Sequence, residues 1–296
     1  MKINFTKMHG LGNDFIIIDC RYLNIPNLPE TIKRLSHRQF GIGFDQALLL
    51  YPSSAADFRM DIYNADGCMV EMCGNGIRCF AKYIWDRRLS DKDELAIETL
   101  AGIMKPKIPP SPPLGKSPSF PPLEKGDEGG SRGDFVQVDM GEPILEGRNI
   151  PVNMDGKVID YSLNVDDEIF KITCVSMGNP HCVIFIEDVD NFPVQRFGPI
   201  VETYPLFPKK TNVEFVQVLN KRGLKMRVWE RGSGETFACG TGACASLVAA
   251  NLKGIADREA VIHLLGGDLK IEWSEKDNHV YMTGPAVEVF EGTFEL

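Results

Sequence analysis

Runs of apolar residues along the chain predict a protein built mostly of β-strands. In the first half, "DFIIIDC" at residues 14–20 is typical of a buried strand, and "ALLLYP" and "FRMDIYN" follow it. The segment "ELAIETLAGIMKP" predicts two short strands joined by a turn at Ala101 and Gly102. In the second half, the predicted strands lie in "FKITCVSMGNPHCVIFI", "NVEFVQVL", "LKMRVWE", "AVIHLL", "LKIEWS", "HVYMTG" and "AVEVFEGTFEL".

Three segments have helical features instead. "GNGIRCFAKYIWDRR" carries apolar residues at helical spacing, and "GTGACASLVAANLKG" is a largely apolar segment ended by Gly254. A further helix is predicted to begin near Pro29 and to end at "GIG", residues 41–43.

One sequence shift relates the two halves of the chain. Cys73 and Cys239, each followed by a glycine, lie 166 residues apart. The same shift pairs further polar positions: Asn13 with Asn179, Gln46 with Asn212, and Asn64 with Glu230. Several separated matches at one shift indicate an internal duplication.

The duplication and the length predict two similar domains. A chain of 296 residues is too long for most single cores. We expect one domain to contain residues 1–140 with a C-terminal strand at 286–296, and the other to contain residues 141–285. A pseudo-twofold between them would bring both cysteine loops to one small substrate.

One segment, residues 109–131, has a different composition. It reads "PPSPPLGKSPSFPPLEKGDEGGS" and is dense in Pro, Gly, Ser and charge. Such a composition cannot bury a core, so the segment is predicted to be a disordered surface insertion. A Pro-rich recognition segment is the alternative.

Charge and cysteine usage limit the function classes. The net charge of −9 argues against nucleic-acid or membrane-surface partners. No apolar stretch reaches the roughly 18 residues of a membrane span, and the first ten residues lack the apolar core of a signal peptide. We therefore expect a cytoplasmic protein whose eight cysteines are reduced.

Two Cys-Gly-X-Gly stretches, at residues 73–76 and 239–242, each combine a thiol with the start of a predicted helix. The unpaired N–H groups and the dipole of a helix N-terminus stabilise a thiolate and are expected to lower its pKa. The same N–H groups can hold a carboxylate, which glycines allow to come close. Two such units suit removal of a proton from one face of a carbon and its return on the other face, with one thiolate and one thiol.

Further motifs accompany these two stretches, namely "MHGLGNDF", "GFDQ", "YNADG", "SMGNPHCV", "TNVEF" and "WERGSGET". With this set of motifs the chain resembles the diaminopimelate epimerase family. The resemblance covers nearly the whole chain outside residues 109–131. It implies a cofactor-free two-base isomerase that interconverts LL- and meso-diaminopimelate for lysine and cell-wall synthesis. It also implies an α/β (α+β) fold with two pseudo-symmetric domains, each a barrel-like, mostly antiparallel sheet around a central helix, and a homodimer.

The resemblance assigns roles to individual residues. Cys73 and Cys239 would be the acid–base pair, and His181 and Glu230 would tune the thiols. The positions implied to bind substrate are Asn13, Gln46, Asn64, Gly74, Asn75, Asn179, Asn212, Glu230, Arg231, Gly240 and Thr241. In this reading Arg231 acts as a bidentate carboxylate clamp rather than as a solvated charge.

Other readings account for fewer of these features. Cys68, Cys73 and Cys79 lack zinc-like spacing, no CxxC motif suggests a redox dithiol, and no pattern marks a pyridoxal enzyme. We therefore expect neither metal nor cofactor. A proline-type racemase is the alternative enzyme, and a non-catalytic amino-acid-binding protein is the alternative from another class. The remaining cysteines are predicted to be core, except Cys68, whose role stays open.

Removing the insertion tests its predicted independence. Replacing residues 109–131 by a short Gly-Ser join is expected to leave turnover and melting temperature little changed, because the segment lies outside every motif. Enzyme assays and thermal unfolding measure both. A large loss of either would show that the segment packs on a domain or gates the site.

Overall fold

The computed structural model describes residues 1–71, 73–109 and 133–296. These residues form two compact units, Met1–Val138 with Thr283–Leu296, and Asp139–Met282. Apart from Pro109, the predicted surface insertion lies outside the described residues.

The first unit contains an eight-stranded sheet with strand order β18-β1-β2-β3-β4-β6-β7 and with β5 paired to β4. Neighbouring strands are antiparallel except for the pairs β2–β3 and β4–β6. Its strands are β1 (Lys2–Gly10), β2 (Asn13–Asp19), β3 (Gln46–Tyr51), β4 (Phe58–Asn64), β5 (Met69–Val70), β6 (Ile97–Thr99), β7 (Gly102–Met104) and β18 (Val287–Glu295). Its helices are α1 (Leu28–Ser36) and α2 (Gly74–Asp86).

The two helices of this unit pack on opposite faces of the sheet. Because side chains alternate along a strand, β2 and β3 bury both faces. Ile16 and Ile18 share a core cluster with Ile32 of α1. On the other face, Phe15 and Leu48 lie against the first turn of α2. This layering buries α2 almost completely.

A ten-stranded sheet has the strand order β8-β17-β16-β15-β13-β12-β11-β10-β9, with β14 paired to β13. Strands β9 to β16 lie in the second unit, whereas β8 belongs to the first unit except for Asp139, and the boundary divides β17 after Met282. The pairs β9–β10, β10–β11, β12–β13, β13–β14 and β15–β16 are antiparallel, whereas β11–β12 and β13–β15 are parallel. The strands of this sheet are β8 (Phe135–Asp139), β9 (Tyr161–Val165), β10 (Glu168–Ser176), β11 (Pro180–Phe185), β12 (Asn212–Asn220), β13 (Gly223–Glu230), β14 (Gly234–Thr236), β15 (Glu259–Leu264), β16 (Gly267–Trp273) and β17 (Val280–Pro285). The helices of the second unit are α3 (Val194–Glu202), α4 (Gly240–Leu252) and a short 3₁₀ helix, Gly147–Asn149.

Helix α4 of this unit corresponds to α2 of the first. It contacts β10, β11, β12, β13, β15 and β16 and is buried over most of its length, as an all-round apolar helix must be. Helix α3 covers the other face, where Phe197 and Val201 share a core cluster with Phe215 of β12. Each unit is therefore a mostly antiparallel sheet packed against a buried central helix, and the predicted α+β fold class is confirmed.

The structure repeats at the shift that the sequence suggested. Helix α2 runs from Gly74 and helix α4 from Gly240, and both contain 13 residues. The parallel pairing of Phe15 with Gln46 recurs as the pairing of His181 with Asn212, again 166 residues on. Polar positions that match in the sequence therefore occupy matching places in each sheet.

Several elements were absent from the sequence-based prediction, namely β1, β5, β8, β9, β14 and α3. Helix α3 includes Gly198 and Pro199, residues that disfavour a helix by local propensity. Gly198 is nevertheless required, because a Cβ there would lie 2.6 Å from Cγ of Trp229. Close packing outweighs propensity at this position.

Among the described residues, every helix is too short or too polar to cross a membrane.

The contact at Gly198 gives a stability prediction. An Ala in a helix interior is ordinarily favourable by roughly 1 kcal/mol over Gly, whereas overpacking costs about 1–3 kcal/mol. We expect Gly198→Ala to lower the free energy of unfolding, because the base of the Trp229 side chain cannot move aside easily. Urea unfolding measures this. The control is Gln195→Ala on the exposed face of the same helix, and equal stability of both variants would contradict the packing argument.

Candidate active site

Cys73 caps the N-terminus of α2. Its backbone is extended, with φ −140° and ψ 115°, and its Sγ accepts the backbone N–H of Gly76 at 3.3 Å. The lack of a side chain at Gly76 lets the two residues approach closely. A Cβ at Gly76 would lie only 3.3 Å from the Cβ of Cys73. The thiol thus lies at a helix start, where backbone N–H groups can donate hydrogen bonds to its sulfur.

Asn13 is held beside this thiol by a carboxylate. Its Nδ2 donates to Asp45 Oδ2 at 2.9 Å, so that its Oδ1 is directed elsewhere. That Oδ1 lies 3.7 Å from Cys73 Sγ and 3.5 Å from Nδ2 of Asn75. Because a carboxylate only accepts hydrogen bonds, Asp45 fixes which end of the Asn13 amide faces the thiol.

A buried arginine organises the first turn of α2. Arg78 is fully buried and donates to Asn75 Oδ1 at 3.0 Å and to the carbonyl oxygens of Gly74 and Pro285. Its guanidinium fits because Gly10 has no side chain, since a Cβ there would lie 3.1 Å from Nη2. The sequence-based assignment omitted Arg78, although it lies in the quoted segment "GNGIRCFAKYIWDRR".

Gln46 and Asn64 form a cross-strand pair in the same unit. They are directly opposite each other on β3 and β4, and Gln46 Nε2 donates to Asn64 Oδ1 at 2.8 Å. The structure therefore brings Asn13, Cys73 and Asn75 together, and brings Gln46 to Asn64. The substrate-binding roles of these residues stay predictions.

Cys239 caps α4 as Cys73 caps α2. Its backbone is again extended, with φ −125° and ψ 109°, and its Sγ lies 3.5 Å from Oγ1 of Thr241. Its electrostatic surroundings are acidic. Burial, followed by the carboxylates of Glu230 and Glu214, raises the pKa of the Cys239 thiol well above its ordinary value.

The expected lowering of the thiol pKa is therefore wrong for Cys239. Hydrogen bonds from Thr241 and from the backbone of Gly242 do lower its pKa, as a helix start should. Burial has the larger effect and acts in the opposite direction, because a buried anion loses its hydration. The raised pKa favours the protonated form of the Cys239 thiol.

The predicted polar residues of the second unit gather where β11, β12 and β13 meet. Asn212 donates from Nδ2 to the carbonyl oxygen of Pro180 and accepts the backbone N–H of Arg231, both at 2.9 Å. Glu230 accepts the hydroxyl of Thr236. The two hydrogen bonds of Asn212 hold its side chain between the start of β11 and the residue that follows β13.

Arg231 and His181 have surroundings that the sequence did not indicate. The Arg231 side chain is exposed and donates to the carbonyl oxygen of Lys209 at 3.2 Å. His181 is fully buried, and its two nitrogens contact Glu214 at 2.6 Å and Asn179 at 2.9 Å. The clamp role of Arg231 and the tuning role of His181 stay predictions.

Sequence reasoning missed Asp45, Arg78 and Glu214. All three lie inside motifs quoted above, and each contacts a predicted site residue or its helix. The available signal was a charged residue within an apolar run, as at Glu214 between Val213 and Phe215. In the described parts of the chain, no cluster of three or more His, Cys, Asp or Glu is arranged to hold a metal ion.

Comparison with known proteins decides the family. A family model described as diaminopimelate epimerase matches residues 5–111 and 173–289. The chain belongs to the diaminopimelate epimerase family. The resemblance stated from the motifs is thereby confirmed.

Relatives within the diaminopimelate epimerase family match along their whole length. The diaminopimelate epimerase of Moorella thermoacetica is 53% identical, covering 99% of this chain and 100% of the relative. That of Methanococcus maripaludis strain C5 is 51% identical, again over 99% and 100% of the two chains.

Solved structures share the fold at low sequence identity. A Bacillus anthracis phenazine biosynthesis protein of the PhzF family is 17% identical with a TM-score of 0.67 and covers all of both chains. A probable proline racemase from Agrobacterium radiobacter K84 is 14% identical with a TM-score of 0.66, covering 99% of this chain and 93% of that one. At such identities these likenesses establish the fold alone.

The raised pKa of Cys239 can be measured. Alkylation by iodoacetamide needs the thiolate, so the rate at Cys239 should rise only at pH values above the pKa of an ordinary thiol. Glu230→Gln removes one negative charge and should shift this rise to lower pH. Mass spectrometry of the Cys239 peptide across a pH series gives the midpoint.

The exposed variant Glu187→Gln makes the same charge change away from the site. Its midpoint should match that of the unchanged protein. A midpoint for Cys239 at or below that of a free thiol would refute the acidic-surroundings argument.

Proposed function

We propose that this protein interconverts LL- and meso-diaminopimelate by cofactor-independent two-base proton transfer. Membership in the diaminopimelate epimerase family and the full-length match to relatives of that name support the substrate and the reaction. The observation that carries the mechanism is the recurrence of a cysteine at the start of two corresponding buried helices. The product serves lysine and peptidoglycan precursor synthesis.

Inversion at the α-carbon requires two proton-transfer groups. One thiolate removes the α-hydrogen from one face, and one thiol delivers a proton to the other face. The raised pKa of Cys239 makes it the proton donor in the state described here, and Cys73, which accepts the Gly76 N–H, is then the base. The reverse reaction exchanges these roles, so the two thiols titrate as a pair.

The carbanion formed beside the substrate carboxylate needs stabilisation. Backbone N–H groups at the first turns of α2 and α4, at Gly74, Asn75, Gly240 and Thr241, supply donors aimed at a carboxylate. Such preorganised donors in a water-poor site are the usual means of stabilising developing negative charge. No proton needs to be taken up by an external cofactor.

The remaining polar residues bind the ends of the substrate. Amide side chains recognise the ammonium and carboxylate groups, and Arg231 supplies a cation for the distal carboxylate once its exposed side chain swings inward. The residues in this group are Asn13, Gln46, Asn64, Asn179, Asn212, Glu230 and Arg231.

We further propose a cytoplasmic homodimer. The acidic charge, the thiol-dependent chemistry and the family resemblance support this assignment. Analytical ultracentrifugation of the reduced protein at micromolar concentration tests the oligomeric state.

Isotope exchange tests the reaction and its two bases together. The protein is incubated with LL-diaminopimelate in deuterium oxide, and stereochemistry and label are followed by chiral chromatography and mass spectrometry. Cys73→Ala and Cys239→Ala should each abolish epimerisation, because one thiol cannot remove and return a proton across the plane. Each variant should retain at most slow α-hydrogen exchange, from opposite configurations.

Two further variants control this experiment. Cys→Ser at either position should be weaker than the unchanged protein, because a hydroxyl is a much poorer base near neutral pH. Cys68→Ala makes the same chemical change at an exposed cysteine and should retain activity. Substantial epimerisation by either Ala variant of Cys73 or Cys239 would defeat the two-base assignment.

A further inference from the structure

A chain of three polar side chains is buried in the second unit. Glu214 on β12 and His181 on β11 are both fully buried, with Oε1 and Nδ1 2.6 Å apart. The other ring nitrogen, Nε2, lies 2.9 Å from Oδ1 of Asn179. Nε2 therefore carries a proton, and one further proton lies between Nδ1 and Glu214.

The hydrogen bond to His181 determines which end of the Asn179 amide is available to a ligand. With Oδ1 occupied by His181, the Nδ2 group remains as a hydrogen-bond donor. The matching residue of the first unit, Asn13, is fixed in the opposite sense, because its Nδ2 is occupied by Asp45. Corresponding asparagines thus offer a donor in one unit and an acceptor in the other.

Glu214 also contacts the helix that carries Cys239. A Cβ at Gly242 would lie 2.7 Å from Glu214 Oε1 and 3.3 Å from the Cβ of Cys239. Glu214 is therefore packed under the first turn of α4. Its second oxygen, Oε2, is buried without a hydrogen-bond partner among the described residues.

The first unit shows that this place in the fold does not need ionisable groups. The residues 166 positions before His181 and Glu214 are Phe15 and Leu48. They lie against Gly76, the counterpart of Gly242, at 3.4 and 3.2 Å from the position of its missing Cβ. An apolar pair fills the same place, so stability alone does not account for a buried carboxylate and imidazole, which are costly to desolvate.

We propose that Glu214 is a positioning residue for epimerisation. Glu214 shares a proton with Nδ1 of His181, so that the other ring nitrogen, Nε2, keeps its own proton. The Nε2–H group then donates to Oδ1 of Asn179, which leaves the Asn179 NH₂ group as a donor for the substrate carboxylate. This inference rests on the proposed function for its kinetic consequence. The link from Glu214 to Asn179 does not depend on which substrate is turned over.

The internal counterpart supplies the variants. Glu214→Leu with His181→Phe copies the apolar pair of the first unit and should melt near or above the unchanged protein. Its kcat/KM should nevertheless fall by about 100-fold, because Asn179 is no longer held. Glu214→Gln should retain much more activity than Glu214→Leu, since an amide can donate to Nδ1 and keep Nε2 protonated. Equal losses for Gln and Leu would overturn the proposal.

A double-mutant cycle separates positioning from general structural damage. In an Asn179→Ala background, the Leu–Phe pair should lower kcat/KM by a much smaller factor than in the unchanged background, because its target is already gone and only the loss of the Glu214 charge near Cys239 remains. The control Val216→Ala opens a cavity on the same face of β12 and should cost the same factor in both backgrounds. A loss from the Leu–Phe pair that is equally large in both backgrounds would overturn the proposal.

A spectroscopic measurement covers the case in which the protein is inactive on diaminopimelate. The side-chain NH₂ resonances of Asn179, assigned with Asn179→Ala, should move or broaden in Glu214→Leu but stay in place in Glu214→Gln and Val216→Ala. Absence of epimerisation by the unchanged protein would refute the proposed function alone. Unmoved resonances in a folded Glu214→Leu variant would refute the positioning role.

Discussion

The candidate active site depends on close packing between the first turn of a buried helix and the strands beneath it. In both units this contact is possible because the third residue after the cysteine is a glycine, Gly76 or Gly242. A Cβ would lie 3.2 Å from Leu48 at the first glycine and 2.7 Å from Glu214 at the second, so each glycine lets its helix lie close to the side chains of the strands. The thiol at the N-cap and the N–H groups beside it belong to this first turn, so the proposed proton-transfer group and the proposed anion-binding donors depend on the same contact.

The same geometry supports different electrostatics in the two units. Beneath α2 the contact is apolar, through Phe15 and Leu48, and the buried cation Arg78 lies in the helix itself. Beneath α4 the contact includes Glu214, which together with Glu230 adds negative charge around Cys239. A duplicated scaffold therefore surrounds its two helix-start cysteines with different charged groups, which suits the proposed reaction with one acid and one base.

Hydrophobic patterning predicted most of the elements that bury a complete face. Strands β2, β3 and β12 and helices α2 and α4 are strongly apolar, and their existence follows from local sequence. Helix α3 did not follow, because Gly198 and Pro199 oppose a helix locally, and packing against Trp229 overrides that preference. Short strands such as β5 and β14, of two and three residues, carry too little pattern to be recognised.

The sequence by itself determined the fold class, the duplication at a shift of 166 residues, the family and the two candidate cysteines. The fold class follows from the periodicity of apolar residues, which is a local property of the sequence. The duplication, the family and the two cysteines follow from the identity of residues in short motifs, some of which repeat at a fixed spacing. Only the tertiary structure decided that Cys239 has a raised pKa, that Asp45 orients Asn13, and that Glu214 lies under α4. Burial and charge act through space on groups distant in the chain, so no local pattern encodes their sum.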